Sequence, residues 1–172
     1  LLHGLGSTPA IMAGLGKDMA ATGKLNPEGV ERGFDALRRF ATIAQGLRVR
    51  PMTVVATAAV REAEDGPDFR RRVEHETGLK LNVIDGEEEA RLSAQGVLLG
   101  WPDARGLVCD IGGNSMELAE LDGKGKVGRR VTSPLGPFRL QQVKGGEKGL
   151  RAHIRKIMAE LAAKMGTDHD RI

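Results

Sequence analysis

The sequence predicts an α/β fold, and three observations favour this class. Apolar residues recur at helical spacing over residues 27–45, and a β-branched segment typical of a buried strand follows at 52–57. A second strand and a second helical pattern follow at 81–99. Glycine supplies 24 of the 172 residues, against a usual share of about 7%, so we expect many tight turns between the elements.

In the N-terminal half, the elements are predicted from periodicity and from their boundary residues. Residues 1–16 are rich in glycine with short apolar pieces, and we interpret them as the end of a hairpin. Pro67 suits the first turn of a helix, and Gly78 suits the position just after its end. The predicted helices are 27–45, 58–64, 67–77 and 87–99, and the predicted strands are 52–57 and 81–85.

A second unit is predicted to begin at Gly106, because residues 101–103 (Trp-Pro-Asp) break the helical pattern. Residues 122–125 (Asp-Gly-Lys-Gly) supply a hairpin turn within this unit. Three strands and a final helix are predicted there, at 107–109, 116–121, 127–131 and 148–165. We therefore divide the chain into a first unit at 1–105 and a second unit at 106–172.

Composition and charge limit the classes of function. Hydrophobic residues at 40%, charged residues at 28% and a net charge of +3 are typical of a soluble globular protein. No apolar run approaches the roughly 18 residues of a membrane span, so we expect no membrane partner. With Trp101 and four Phe as the aromatic residues, little is left for base stacking, which argues against nucleic-acid binding. The single Cys109 excludes an internal disulfide, fits a cytoplasmic location and is expected to be a small core residue.

The first candidate motif is Gly-Glu-Glu-Glu-Ala-Arg at residues 86–91, where Glu87, Glu88 and Glu89 open a predicted helix. Acids in a first helical turn are stabilised by the macrodipole by roughly 0.3–1 kcal/mol each, so plain helix capping is one interpretation. The other is catalytic, because α/β folds bind ligands where strands end and the following helices begin.

The second candidate motif is Asp-Ile-Gly-Gly-Asn-Ser-Met-Glu at residues 110–117. Asp110 ends an apolar strand and either accepts N–H bonds from its own turn or binds Mg²⁺, usually through water. Glu117 follows on the returning strand of the hairpin, which can bring its carboxylate to the same cleft. The turn between them exposes backbone N–H groups and a hydroxyl that suit a phosphoryl oxygen, from Gly112, Gly113, Asn114 and Ser115.

Arg61 is the third candidate, at the point where a predicted strand leads into a helix. A guanidinium there can bind phosphate oxygens in a bidentate way. The alternative is a surface ion pair with Glu62, Glu64 or Asp65. Other catalytic classes lack support, since the sequence has no P-loop, no Gly-x-Ser-x-Gly turn and no histidines at metal-ligand spacing.

These motifs resemble those of the exopolyphosphatase/guanosine pentaphosphate phosphatase family, in order over about residues 15–140. Residues 56–63, Ala-Thr-Ala-Ala-Val-Arg-Glu-Ala, are similar to the family's Ala-Thr-Ser-Ala-Leu-Arg-Glu-Ala segment. The Glu-Ala-Arg motif at 83–92 follows at the family's spacing. Residues 110–117 stand where the family has Asp-Ile-Gly-Gly-Gly-Ser-Thr-Glu, and residues 133–136 resemble the turn beyond.

The resemblance implies an actin-like (ribonuclease H-like) two-lobe α/β fold, with the first lobe nearly complete and the second partial. It implies that Glu89 is the general base that deprotonates water and that Arg61 binds the phosphate chain. It further implies that Asp110 and Glu117 lie near Mg²⁺ and that residues 112–115 form a phosphate loop. The implied partners are inorganic polyphosphate or guanosine pentaphosphate, and a homodimer is possible.

The chain departs from the family pattern in three ways. Asn114 stands at the third glycine of the loop, although asparagine tolerates left-handed backbone dihedrals better than most residues. Met116 replaces a threonine and so removes one hydroxyl. The family's first phosphate loop is not found before Leu15, so we expect a fragment. Asn114 and Met116 keep open a non-hydrolytic sensor of polyphosphate or nucleotide, and the loop that begins at Asp110 keeps open an actin-like kinase or ATPase, which shares it.

Overall fold

The computed structural model describes residues 13–48 and 52–166. Its helices are α1 (Met19–Thr22), α2 (Pro27–Gly46), α3 (Ala58–Glu62), α4 (Gly66–Thr77), α5 (Gly86–Gly100), α6 (Pro137–Leu140) and α7 (Gly146–Met165). Its strands are β1 (Val54–Ala56), β2 (Leu81–Val83), β3 (Arg105–Ile111), β4 (Met116–Asp122) and β5 (Val127–Ser133).

The predicted helices and strands are confirmed, with ends that differ by a few residues. The sequence does not predict α1 and α6, because a single helical turn holds too few residues to show an apolar period. The hairpin predicted at 1–16 falls mostly outside the described residues. Of that segment, the structure describes residues 13–16, which lead into a turn before α1.

The strands form two separate sheets. In the first sheet β1 and β2 are parallel, with Val54 opposite Leu81, and α3 and α4 make the crossover between them. In the second sheet β3, β4 and β5 are antiparallel in sequence order, so β3 and β5 are its edges. The observed architecture is therefore mixed α/β, as predicted.

The first core lies between α2, α4 and the parallel strands. Phe34 and Val73 are fully buried, and the Phe34 ring meets the Phe69 ring edge to face with centroids 5.3 Å apart. Helix α2 begins after Asn26, whose side chain accepts a hydrogen bond of 2.9 Å from the Gly29 N–H. This core holds β1 and the beginning of α3 in place.

The second core has two layers, because α5 packs on one face of the antiparallel sheet and α7 on the other. Ala90 and Ala94 of α5 are buried against Ala119 of β4, and these small side chains let the helix approach the strands closely. Ile157 of α7 is buried against the opposite face. Helix α5 thus packs on a sheet beyond the predicted boundary, and the division into units at 1–105 and 106–172 stays a prediction.

The expectation that Cys109 is a core residue is wrong, because its side chain is exposed. Cys109 lies on edge strand β3, on the face opposite α5. On that face α7 packs over β5, so the corresponding face of β3 is left open, and Leu107 and Ile111 are exposed there as well. Within 13–48 and 52–166, no helix is both long and apolar enough to cross a membrane.

Candidate active site

The three glutamates that open α5 have different environments. Helix capping is performed by Asp85, whose side chain accepts a hydrogen bond of 2.8 Å from the Glu88 N–H. Glu87 is exposed, and Glu88 forms an ion pair with Arg91 on the outer side of the helix. Glu89 points inward, and 14% of its side chain is exposed. Glu89 therefore does not cap the helix, and its side chain is available for another role.

Glu89 lies between a cation and another carboxylate. Its Oε2 atom is 3.5 Å from Nη1 of Arg61, and the Thr57 side chain is a further hydrogen-bond partner. Burial raises the pKa of Glu89, and the negative charge of Glu117 raises it further. The charge of Arg61 and the hydrogen bonds from Thr57 and Arg61 act in the opposite direction but do not cancel this rise. Glu89 is thus a carboxylate whose environment makes it more basic than an exposed one.

Arg61 is held by the backbone segment between β2 and α5. Its Nη1 atom donates a hydrogen bond of 2.7 Å to the Ile84 carbonyl, immediately before Asp85. Of the three acids considered as surface partners, Glu62 lies closest at 3.8 Å from Nη2. Glu62 also forms an ion pair with Arg139 of α6. Arg61 therefore belongs to a partly buried charge network that joins α3, α5 and α6.

Asp110 and Glu117 form a row across the antiparallel sheet with Thr132. Asp110 is directly opposite Glu117, and Glu117 is directly opposite Thr132. Asp110 accepts a hydrogen bond from the Ser93 hydroxyl of α5 rather than from its own turn. Glu117 is 1% exposed, and its Oε1 atom accepts a hydrogen bond of 2.7 Å from Thr132. The pairing of β3 with β4 thus places Asp110 and Glu117 side by side on one face of the sheet, and their place in a shared cleft stays a prediction.

The turn between β3 and β4 is held by backbone contacts. The Gly112 N–H donates to the Ser115 carbonyl at 3.0 Å, and the Gly113 carbonyl accepts from the Phe138 N–H of α6 at 2.9 Å. A Cβ on Gly113 would lie 2.8 Å from the Phe138 ring, so this position requires glycine for space. Asn114 does not adopt a positive φ, so its tolerance of left-handed dihedrals is not used.

The Asn114 side chain packs against the segment before α1. A Cβ on Gly16 would lie 2.5 Å from Asn114 Oδ1, so the amide fills the space beside that glycine. Its Nδ2 atom contacts the Met19 sulfur at 3.7 Å, and Oδ1 is buried with no hydrogen-bond partner among the described residues. Asn114 therefore joins the turn to α1.

A cleft of about 420 Å³ lies between α3, α5 and the β3–β4 turn. It is lined by residues 14–16, 57–59 and 137–138 together with five of the predicted site residues: Glu89, Gly112, Gly113, Asn114 and Ser115. Asp110 and Glu117 are on the α5 side of the sheet, and the charge of Glu117 acts on Glu89. Arg61 contacts Glu89 but lines a different cleft. The structure thus brings the predicted residues into one region, with Arg61 on its far side.

Several residues of this region are not identified by the sequence motifs. Ser93 and Thr132 bind the two carboxylates of the row, Thr57 binds Glu89, and Arg139 joins the charge network. The Ala-Thr-Ala segment that precedes Arg61 contains Thr57, so this residue was within a recognised motif. Ser93 lies on α5 just beyond the motif at 83–92, Thr132 lies just before the turn at 133–136, and Arg139 lies in α6, which carries no motif.

Two carboxylates are available for a metal ion. No three of the His, Cys, Asp and Glu residues that the structure describes lie close enough together to enclose one. Mg²⁺ usually takes only one or two protein carboxylates, with water and substrate phosphates as its other ligands. Glu117 Oε2 is buried and has no hydrogen-bond partner among the described residues, and Asp110 is directly opposite. This pair of acids fits Mg²⁺ bound together with a phosphate.

Comparison with known sequences gives consistent matches. Residues 11–166 match the Ppx/GppA phosphatase family. The exopolyphosphatases 1 of Mycobacterium tuberculosis and Mycobacterium bovis are each 35% identical to this chain over 123 residues. That alignment covers 70% of this chain and 35% of each relative, so the chain spans about a third of their length.

Solved structures match over most of this chain. A Ppx/GppA family member from Aquifex aeolicus is similar with a TM-score of 0.68 and 26% identity, covering 93% of this chain and 54% of that chain. An exopolyphosphatase from Cytophaga hutchinsonii is similar with a TM-score of 0.75 and 26% identity, covering 89% and 51%. The fold is therefore actin-like, and the chain spans about half the length of these structures.

Proposed function

Because the chain belongs to the Ppx/GppA phosphatase family, we propose that it acts in a phosphohydrolase that releases terminal phosphate from inorganic polyphosphate. The observation that supports this function most is the position of Glu89. A largely buried carboxylate with a raised pKa lines the same cleft as a glycine turn. A base and a phosphate-binding turn are the two parts that hydrolysis of a phosphoanhydride requires of a protein.

Glu89 is proposed to deprotonate the attacking water. A general base works best when its pKa approaches the working pH, and the pKa of Glu89 is raised toward it by burial and by Glu117. As Glu89 takes the proton, the water oxygen bonds to the terminal phosphorus. The bond from phosphorus to the bridging oxygen breaks, and the shortened chain leaves with that oxygen and its electron pair.

The terminal phosphate is proposed to bind at the β3–β4 turn. The Gly112 N–H is already bonded to the Ser115 carbonyl, so we assign the phosphate to the N–H groups of Gly113 and Asn114 and to the Ser115 hydroxyl. Arg61 holds Glu89 through Nη1, while its Nη2 atom, 3.8 Å from Glu62, is too far for a hydrogen bond to that carboxylate. That nitrogen is proposed to bind the phosphate chain.

Asp110 and Glu117 are the residues that would hold Mg²⁺. When bound, the ion would offset negative charge on the phosphoryl oxygens in the transition state. The hydroxyls of Ser93 and Thr132 orient the two carboxylates, and the bond from Thr132 to Oε1 leaves Oε2 of Glu117 open. Such orienting contacts are typical around metal ligands.

The alternative functions require different features of this site. Hydrolysis of guanosine pentaphosphate would use the same base and turn, with a nucleoside bound in addition. A sensor without turnover is an alternative because Asn114 and Met116 depart from the family pattern. Met116, however, is buried in the core against Ile157, and Asn114 packs on Gly16, so neither change removes a group from Glu89. The possible homodimer and the cytoplasmic location stay predictions.

The test is phosphate release by the purified protein with Mg²⁺, from long-chain polyphosphate, guanosine pentaphosphate and ATP in parallel. We expect release from polyphosphate, and we expect Glu89→Gln to lower it by about 10²–10⁴-fold, the usual contribution of a general base. Glu87→Gln is the matched control, because Glu87 is in the same first turn of α5 but is exposed and lines neither the cleft nor the groove between α5 and β5. It should keep nearly full activity.

Other outcomes separate the alternatives. Release from ATP alone would favour the ATPase, and release from guanosine pentaphosphate alone would favour the nucleotide phosphatase. Binding of polyphosphate without release would favour the sensor. Equal losses in Glu89→Gln and Glu87→Gln would contradict the role of Glu89 as the base, because only Glu89 lines the cleft.

A further inference from the structure

A second cleft, of about 660 Å³, lies between α5 and edge strand β5, outside the site described above. We name it the basic groove and define it by Arg91 and Gln95 of α5, Lys126 before β5 and Arg130 of β5. Its remaining walls are formed by Leu98, Leu99, Gly125 and Val127. Its polar groups are hydrogen-bond donors of Arg and Lys and one amide, which suit an anionic ligand.

The positions of these side chains follow from the two elements. Arg91, Gln95 and Leu98 are four and three residues apart, so they share one face of α5. Arg130 is opposite Ala119, which packs against α5, so Arg130 is on the α5 side of the sheet. The basic groove is therefore built into the contact between α5 and β5.

The charge of the basic groove is net positive. Its neighbouring acids are Glu88, which is bonded to Arg91, and Asp122, whose side chain accepts the backbone N–H groups of Lys124 and Lys126. The charges of Arg91 and Arg130 both lower the pKa of Glu88, so both guanidinium groups lie close to it. The residues that line the basic groove include three cations and no acid, which gives a positive field that attracts a polyanion.

A smaller cleft of about 330 Å³ lies between the basic groove and the catalytic region. It is on the same seam of α5 and β5, lined by Gly86 and Thr132, and it contains Arg61 and Arg139 together with Glu62, which forms ion pairs with both arginines. Arg61 also contacts Glu89, and the Nε atom of Arg139 is buried without a hydrogen-bond partner among the described residues. From Thr132 to Lys126 the strand extends about 20 Å, at roughly 3.3 Å per residue.

From this arrangement we propose that the basic groove binds the distal phosphates of a long polyphosphate chain whose terminal phosphate is at the cleft beside Glu89. This proposal rests on the proposed function, because it takes inorganic polyphosphate as the substrate. The chain would pass Arg61 and Arg139 and then follow β5 to Arg130, Arg91 and Lys126. A substrate of three phosphates would be too short to span this distance, so the groove would confer a preference for long chains.

The test compares two double variants of the purified protein. Lys126→Gln with Arg130→Gln removes two charges from the basic groove. Arg155→Gln with Lys156→Gln is the matched control, since it removes two exposed charges from α7 on the opposite face of the sheet. KM and kcat are measured for long-chain polyphosphate and for tripolyphosphate, and thermal unfolding confirms that each variant is folded.

For the groove variant we expect KM for long-chain polyphosphate to rise about tenfold, since two exposed charge contacts are each worth up to about a factor of five. The value of kcat and both constants for tripolyphosphate should stay unchanged, and the α7 control should behave as the parent protein. An equal rise in KM for both substrates, no rise for the long chain, or an equal rise in the control would each overturn the proposal.

A binding measurement keeps this test separate from that of the proposed function. Long-chain polyphosphate is titrated onto Glu89→Gln with and without the groove substitutions, and the dissociation constant is measured directly. Weaker binding in the groove variant supports the basic groove even if no phosphate is released by the parent protein. Unchanged binding overturns the groove even if the parent protein is an active hydrolase.

Discussion

On the helical side of the cleft, charged groups have partners within the protein, whereas on the side of the antiparallel sheet two buried polar atoms have none among the described residues. Arg61 bonds to the Ile84 carbonyl and reaches Glu89, and Asp85 caps α5. Two side-chain atoms on the other side are buried without a hydrogen-bond partner among the described residues: Asn114 Oδ1 and Glu117 Oε2.

This difference indicates that one side of the cleft positions the base and that the other side binds ligands. A buried polar atom without a partner costs about 1–3 kcal/mol, so a ligand that bonds to such an atom recovers this cost. The contacts of Arg61 and Asp85 fix the orientation of α5 and its base before any ligand arrives. We therefore infer that the helical side holds Glu89 in place, while the sheet side receives the cation and the phosphate.

The largest effect is expected from removing the open acceptor on the sheet side. Glu117→Gln should raise the Mg²⁺ concentration for half-maximal phosphate release by at least about 10–100-fold, the range for losing a group that only orients a metal ligand. A Mg²⁺ titration of activity measures this. Glu120→Gln, on the same strand but on the opposite face, is the control. An unchanged Mg²⁺ requirement in Glu117→Gln would mean that the carboxylate is not a ligand.

The second prediction concerns how tightly the sheet side is built. A Cβ on Gly136 would lie 2.2 Å from the Asn114 backbone, so Gly136→Ala must displace the turn. We expect it to lower the free energy of unfolding by about 1–3 kcal/mol or more, the usual cost of overpacking. Chemical denaturation measures the change.

The control for this prediction is a glycine with open space. A Cβ on Gly96 would meet nothing within 4 Å, and Gly96 lies inside helix α5. Gly96→Ala should therefore raise the free energy of unfolding by about 0.5–1 kcal/mol, because alanine loses less entropy in a helix. Equal stability of the two variants would contradict the close contact at Gly136.

The third prediction tests whether Asn114 is a defect of the site or a structural contact. Its amide fills the space beside Gly16, and its φ is not positive, so glycine is not required there. Asn114→Gly should lower the free energy of unfolding by about 1 kcal/mol, through lost packing and greater freedom of the unfolded chain. Phosphate release should not increase. A gain in activity would instead indicate that Asn114 obstructs the phosphate.

Much of the fold and the site could be predicted because the patterns that determine them lie within short segments of the sequence. Helices such as α2 and α5 show their apolar period over many residues. The neighbourhood of Asp110 and Glu117 follows from a short turn between two strands, since antiparallel pairing then places them opposite each other. Glu89 could be singled out within its triplet only through the family resemblance, because three adjacent acids have the same local pattern.

The remaining features depend on elements that are distant in sequence. Cys109 was expected in a core, but its exposure is decided by where α7 lies, and no strand pattern contains that information. Ser93 and Thr132 reach the two carboxylates from α5 and β5, and an isolated hydroxyl in a helix or strand has no distinctive pattern. The different roles of the two sides of the cleft can likewise be inferred only from the tertiary contacts in the structure.

The smallest predicted effect concerns the helical side of the cleft, where the hydrogen bond from Thr57 affects the pKa of Glu89. The hydrogen bond from Thr57 lowers the pKa of Glu89, so Thr57→Val should raise that pKa further. Because the base acts when deprotonated, activity falls as the pH falls through this pKa, and the acidic limb of the pH–rate profile should move to higher pH. The Thr57 side chain makes no cap bond to α3, so the helix should be unaffected. Thr57→Ser keeps the hydroxyl and should keep the parent profile; if both variants shift alike, the hydrogen bond is not the cause.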